Sequence, residues 1–213
     1  KNRTRIMLRI FPFISPIIFT FVMLILGLVT PGYNHLNHTI SRLAIEKYGW
    51  LQSLNFIQLS VGLYLTGNHL ARHIKDETVD EIIQGIFRFS SVFLVIAAFI
   101  PTDPIENVPL DYTLLTPTGL VHISLVIIFL LLSPIGIVRL SQILNKTPGT
   151  ARYTRYTLVA GFSAFIGSAI WFAFYFMGIL LEYRGIFQKA IALPVLIWLI
   201  LINYTMMRHG HRI

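Results

Sequence analysis

Six long apolar stretches fill most of this 213-residue chain, and they constrain its fold more than any other feature. They run roughly over Ile10–Thr30, Leu51–His69, Ile83–Ile100, Pro117–Val138, Tyr156–Leu181 and Phe187–Met206. Each has about the 17–25 residues that a helix needs to cross a hydrocarbon core. Barrel strands would be half as long and would alternate in polarity. With 55% hydrophobic and 12% charged residues and a mean hydropathy of +0.70, the chain cannot hide its apolar surface inside a globule of this size. The expected class is all-α: a polytopic transmembrane bundle of six helices in a single domain, residues 1–213.

Lysine and arginine placement sets the expected orientation, because cations concentrate on the cytoplasmic side. Lys1, Arg3, Arg5 and Arg9 precede the first stretch. Arg72 and Lys75 lie between the second and third, and Arg139, Lys146, Arg152 and Arg155 between the fourth and fifth. Arg208 and Arg212 follow the sixth. The alternate connections carry fewer: Arg42 and Lys47, then none in 101–116, then Arg184 and Lys189. Both termini are therefore expected on the cytoplasmic side of an inner or plasma membrane. The net charge of +8 is dispersed over four cytoplasmic segments, which suits an anionic lipid surface and not a nucleic-acid module.

The chain contains no cysteine, which excludes a disulfide framework, a thiolate metal site and a cysteine nucleophile. The first stretch has the basic flank of a signal peptide. It is longer than a typical signal core and ends in Thr30-Pro31-Gly32 without a cleavage pattern, so it reads as a retained span.

The connections on the outer side hold the chemistry. After the first span, Leu36, Ile40, Leu43 and Ala44 recur at helical spacing. They predict a short interfacial helix, with Tyr48 and Trp50 at headgroup depth. Pro101 and Pro104 end the third span sharply. Pro117 opens the fourth, placing His122 one to two turns inside it. His35, His38, Ser41, Arg42, Asp103, Glu106 and His122 are thus expected to converge near the outer leaflet. Asn55 and Gln58, three apart on the second span, are expected to line the same vestibule. Polar side chains at this depth are expensive in lipid and face protein or water.

Three of these segments resemble a known family. His38-Thr39-Ile40-Ser41-Arg42-Leu43, Ile100-Pro101-Thr102-Asp103 and Thr118-Gly119-Leu120-Val121-His122 are similar to motifs of the domain-of-unknown-function family 998 of small polytopic membrane proteins. The resemblance covers most of the chain. It implies a compact helical bundle with Ser41, Asp103 and His122 on one side, and it brings no established activity.

Several chemistries fit the set. Ser41, His122 and Asp103 are the residues of a serine hydrolase acting on a lipid-like substrate. His35, His38, His122 and Asp103 offer zinc donors, although the segment between the first two is loop-like. A bis-histidine haem would need His35 or His38 opposite His122. No cofactor or metal is assigned on these grounds. The plainer reading is structural: Asp103 caps a turn or helix, Arg42 pairs with Asp103 or Glu106, and His122 bonds a backbone carbonyl. A small transporter is a further reading, but there is no inverted repeat and no central acidic residue. The expectation carried forward is a membrane protein with an outer-leaflet polar pocket. Its partners are membrane lipid and, as an accessory protein, other membrane subunits. A membrane-embedded hydrolase, serine- or zinc-dependent, is the alternative.

On the fifth span, Ala160, Ala164 and Ser168 form a stripe that lets another helix come close. Trp171, Phe172, Phe174, Tyr175 and Phe176 crowd its outer half.

Overall fold

The computed structural model describes residues 2–74, 77–104, 111–146 and 150–209. Six helices account for most of them: α1 (Asn2–Val29), α2 (Gly49–Ile74), α3 (Glu77–Phe99), α4 (Pro117–Lys146), α5 (Thr154–Met177) and α6 (Arg184–His209). No strand occurs among the described residues. Each helix packs on its neighbours in sequence and α6 closes back on α1, so the helices form a ring. In such a ring, the α1–α2, α3–α4 and α5–α6 connections lie at one end and the other connections, with the start of α1 and the end of α6, at the opposite end.

Four helical stretches are long and apolar enough to cross a membrane: Met7–Val29, Pro117–Lys146, Ala151–Met177 and Leu181–Arg208. A shorter apolar stretch, Ile83–Phe99, lies in α3. The six stretches, alike in length, are not alike in polarity: α2 carries buried polar groups. Gln52, Asn55, Ser60 and Thr66 are all buried, and several bond inward. Asn55 Nδ2 donates to Phe19 O at 3.0 Å and to Gln52 Oε1 at 3.3 Å. Gln58 Nε2 donates to Ser15 O at 3.2 Å, and Ser15 Oγ returns a bond to Gln58 O at 3.2 Å. Asn55 and Gln58 therefore clamp α2 to α1. They do not line the outer vestibule, because α2 turns this face toward its neighbour. At the other end Asn203 Nδ2 of α6 donates to Thr66 Oγ1 at 2.9 Å, where polar pairing between helices replaces water.

The short helix after the first span is one 3₁₀ turn, Ser41–Ile45. Its apolar side faces into the bundle: Leu43 is 1% exposed and packs with Ile40 in the core that includes Phe19, Met23 and Leu26. The turn closes one end of the ring like a plug. The small-residue stripe of α5 is buried and lies in the wall facing α4 and α6.

Candidate functional site: a polar pocket above an apolar cavity

The two backbone segments that lead into α4 build one wall of the site. Thr116 stands just ahead of Pro117, and its Oγ1 accepts the Gly119 N–H at 3.1 Å, which satisfies one of the orphan donors of the first turn. Asp103 then holds Thr116. Its Oδ2 accepts the Thr116 N–H at 2.8 Å and its Oδ1 accepts the Thr116 hydroxyl at 2.7 Å. A carboxylate here also complements the positive end of the helix dipole. His122 is one turn deeper and 3% exposed. Its Nδ1 lies 2.8 Å from Ile100 O, so this nitrogen carries the proton, since a carbonyl can only accept. The far nitrogen, Nε2, is buried without a hydrogen-bond partner.

The opposite wall comes from the loop after α1, held against the start of α6. Lys189 Nζ donates to His35 O at 3.1 Å, to His38 O at 2.7 Å and to Gly185 O at 3.2 Å, and lies over the Tyr33 ring. Ile186 N–H donates to Leu36 O at 2.9 Å and Arg184 Nε to Asn37 O at 3.3 Å. Gln188 Oε1 accepts the Ile40 N–H at 2.7 Å. A lysine on the second turn of α6 thus gathers carbonyls that the loop has no secondary structure to satisfy.

Between these walls is a polar pocket of about 50 Å³, lined among others by Ser41, Arg42, Asp103, His122, Arg184 and Gln188. Below it, inside the ring, is an apolar cavity of about 170 Å³. Phe56, Phe87, Phe93, Phe129, Leu196 and Trp198 are among its walls. Its mid-depth polar groups, Ser90 and Ser133, pair with each other at 3.3 Å. A third space of about 230 Å³ lies beside the turn, between Ser53 of α2 and 97–102 at the end of α3. Ser41 and His122 line all three.

The expected residues fall into three groups. Ser41, Arg42, Asp103 and His122 share the polar pocket. His35 and His38 do not line it; their rings flank Tyr33 edge-on, both at 5.2 Å, and the Asn34 N–H donates to His38 Nδ1 at 3.1 Å. Glu106 lies outside the described residues. Among the described residues, no three His, Cys, Asp or Glu side chains gather as a metal site. The serine, histidine and aspartate are neighbours that bond elsewhere: Ser41 Oγ pairs with Thr39 Oγ1 at 3.3 Å, His122 with Ile100, and Asp103 with Thr116. Arg42 Nε donates to Glu46 Oε1 at 2.6 Å, one turn on. Arg184 and Gln188 join the pocket without a motif to mark them. Only the closure of α6 onto the loop after α1, some 150 residues earlier, brings them there.

His35 gives the loop a pH dependence. Burial, then the Lys189 ammonium, hold its imidazole below the usual histidine range, against a bond to the Leu24 backbone that favours the proton. The unfolded chain then binds more protons than the folded one between the folded pKa and about 6.5. Stability is full above about pH 6.5 and falls as the pH is lowered through that range. Thermal unfolding in detergent at pH 7.5 and 5.5 is expected to show a lower midpoint at pH 5.5, with the difference reduced in His35→Gln. An equal difference in both proteins would remove His35 as the cause.

A ring of apolar helices with its polar side chains turned inward defines a multi-pass integral membrane protein. The model of the DUF998 family, described as proteins of unknown function, matches residues 13–203, and the chain belongs to that family. The match takes in all three segments named from the sequence. No curated protein and no solved structure matches the chain.

Proposed function

We propose that the protein binds one membrane amphiphile inside its helical ring, tail in the apolar cavity and head in the polar pocket. What supports this reading is the seam between the two spaces: Ser41, His122, Val126 and Gln188 line both. A tail entering the cavity therefore brings its head to these side chains. The cavity of about 170 Å³ resembles apolar cavities of about 150 Å³ that stay dry and take up hydrocarbons.

The test is saturable binding of a long-chain alcohol to protein in lipid nanodiscs, read by native mass spectrometry. One ligand per chain is expected in the wild type. In Ala192→Phe, which places a ring in the cavity wall, affinity is expected to fall by about tenfold or more, because overpacking costs of order 1–3 kcal/mol. Non-saturable uptake that is identical in both proteins would sink the reading.

The same proposal places both termini in the cytoplasm and the pocket in the outer half of an inner or plasma membrane. Six exposed cations, Arg72, Arg139, Lys146, Arg152, Arg155 and Arg208, lie at the end remote from the pocket, against Arg42, Lys47, Arg184 and Lys189 at the pocket end, of which Arg42, Arg184 and Lys189 bond protein groups. This asymmetry follows the positive-inside rule. Because the native chain has no cysteine, a single introduced thiol reports its own side. Thr118→Cys is expected to react with an impermeant maleimide on intact cells and Arg152→Cys only after lysis; the reverse would invert the topology.

A further inference from the structure

Two side chains at the seam have their hydrogen-bonding sense set by backbone groups behind them. His122 gives its Nδ1 proton to Ile100 O at 2.8 Å, so in the neutral ring Nε2 offers only a lone pair. That nitrogen is buried without a partner. Gln188 is 9% exposed, and its Oε1 is occupied by the Ile40 N–H at 2.7 Å. A backbone N–H can only donate, so the amide has one permitted orientation and its NH₂ is turned away from Ile40. The seam therefore offers an acceptor on α4 and a double donor on α6, both at the mouth of an apolar cavity.

Buried polar groups are nearly always bonded, and an orphan at a cavity mouth marks the place of an absent partner. An ester or ether answers only the glutamine. A quaternary ammonium answers neither group. A hydroxyl answers both, because it has a proton to give and lone pairs to offer. We infer that the amphiphile carries an uncharged hydroxyl at the boundary between head and tail, donating to His122 Nε2 and accepting from the Gln188 amide. This rests on the amphiphile reading above and narrows it to hydroxyl-bearing lipids.

The experiment compares 1-dodecanol with its methyl ether, in wild type and in His122→Asn, by competition in nanodiscs. The ether keeps the tail and an acceptor oxygen but has no proton to donate. In the wild type the alcohol is expected to bind at least about tenfold more tightly, since the ether leaves the buried nitrogen unsatisfied. Asparagine reaches Ile100 O through its own NH₂ and leaves nothing at the Nε2 position, so its alcohol-to-ether ratio is expected to fall to about one. Equal wild-type affinities would overturn the hydroxyl assignment while leaving amphiphile binding intact. A ratio unchanged in His122→Asn would overturn the role of His122. Saturable binding of neither compound would overturn the amphiphile reading itself. A thermal midpoint of His122→Asn close to wild type confirms that the variant folds, and if it does not fold the wild-type ratio alone decides.

Discussion

Gly185→Ala is expected to destabilise the protein by about 3 kcal/mol, the upper part of the range for forcing an added methyl into a packed contact. A Cβ at Gly185 would lie 2.3 Å from His38 O and 2.8 Å from Asn37 C. Both are backbone atoms, so no rotamer change relieves the overlap. The loop cannot retreat cheaply either, because Leu36, Asn37 and His38 are bonded through their carbonyls to Ile186, Arg184 and Lys189. A shift of the loop breaks several of these bonds together and pulls the Ile40 N–H from Gln188. Ligand binding is therefore expected to weaken along with stability. Unfolding in a denaturing detergent titration measures the loss, with the exposed neighbour Ile186→Ala as control. A Gly185→Ala protein within about 0.5 kcal/mol of wild type, the usual size for surface changes, would show that the loop and α6 are not locked together.

Gly119→Ala and Asp103→Ala are each expected to cost about 2 kcal/mol, and the double variant about 2 kcal/mol instead of the sum. The Cβ of residue 119 would lie 1.9 Å from Asp103 Oδ2 and 2.3 Å from its Cγ. The carboxylate occupies the space that only a glycine leaves open. Alanine at 119 ejects it, which breaks the two bonds to Thr116 and removes a negative charge from the start of α4. Alanine at 103 breaks the same bonds directly. Once either change is made, the second has nothing left to remove. Asp103→Asn is expected to lose less, since its amide oxygen still accepts one bond. Additive single-variant costs in the same unfolding titration would mean that the carboxylate does not depend on the space over Gly119.

These two glycines mark where reading from sequence runs out. The aspartate-to-threonine cap was partly legible, since a cap of a turn or helix was among the readings open to Asp103, although Thr116 as its partner was not. The carbonyl bond of His122 was legible as well, being among the few ways to satisfy an imidazole at that depth. Arg42 was expected against Asp103 or Glu106; it bonds Glu46, one turn on at the end of the same 3₁₀ segment, and Glu106 lies outside the described residues. Asn55 and Gln58 were expected in the vestibule. Helical spacing places them on one face, but which neighbour that face meets is a property of the closed ring. Gln188 carries no sequence signal at all: an isolated glutamine near the start of a span acquires meaning only from the Ile40 N–H that orients it.

What the sequence determined by itself was the solvent and the secondary structure. Stretches of about twenty apolar residues must satisfy their own backbone in lipid, and a helix does so without reference to anything else in the chain. The family motifs, spread over residues 38–122, likewise placed Ser41, Asp103 and His122 at one end. The tertiary structure alone decided that α6 closes onto α1, that a lysine of α6 gathers the loop carbonyls, and that a polar pocket opens onto an apolar cavity. Those features depend on contacts between residues about 150 apart in the chain, and hydrophobic pattern, which acts locally and without direction, does not select among the ways six helices can be arranged.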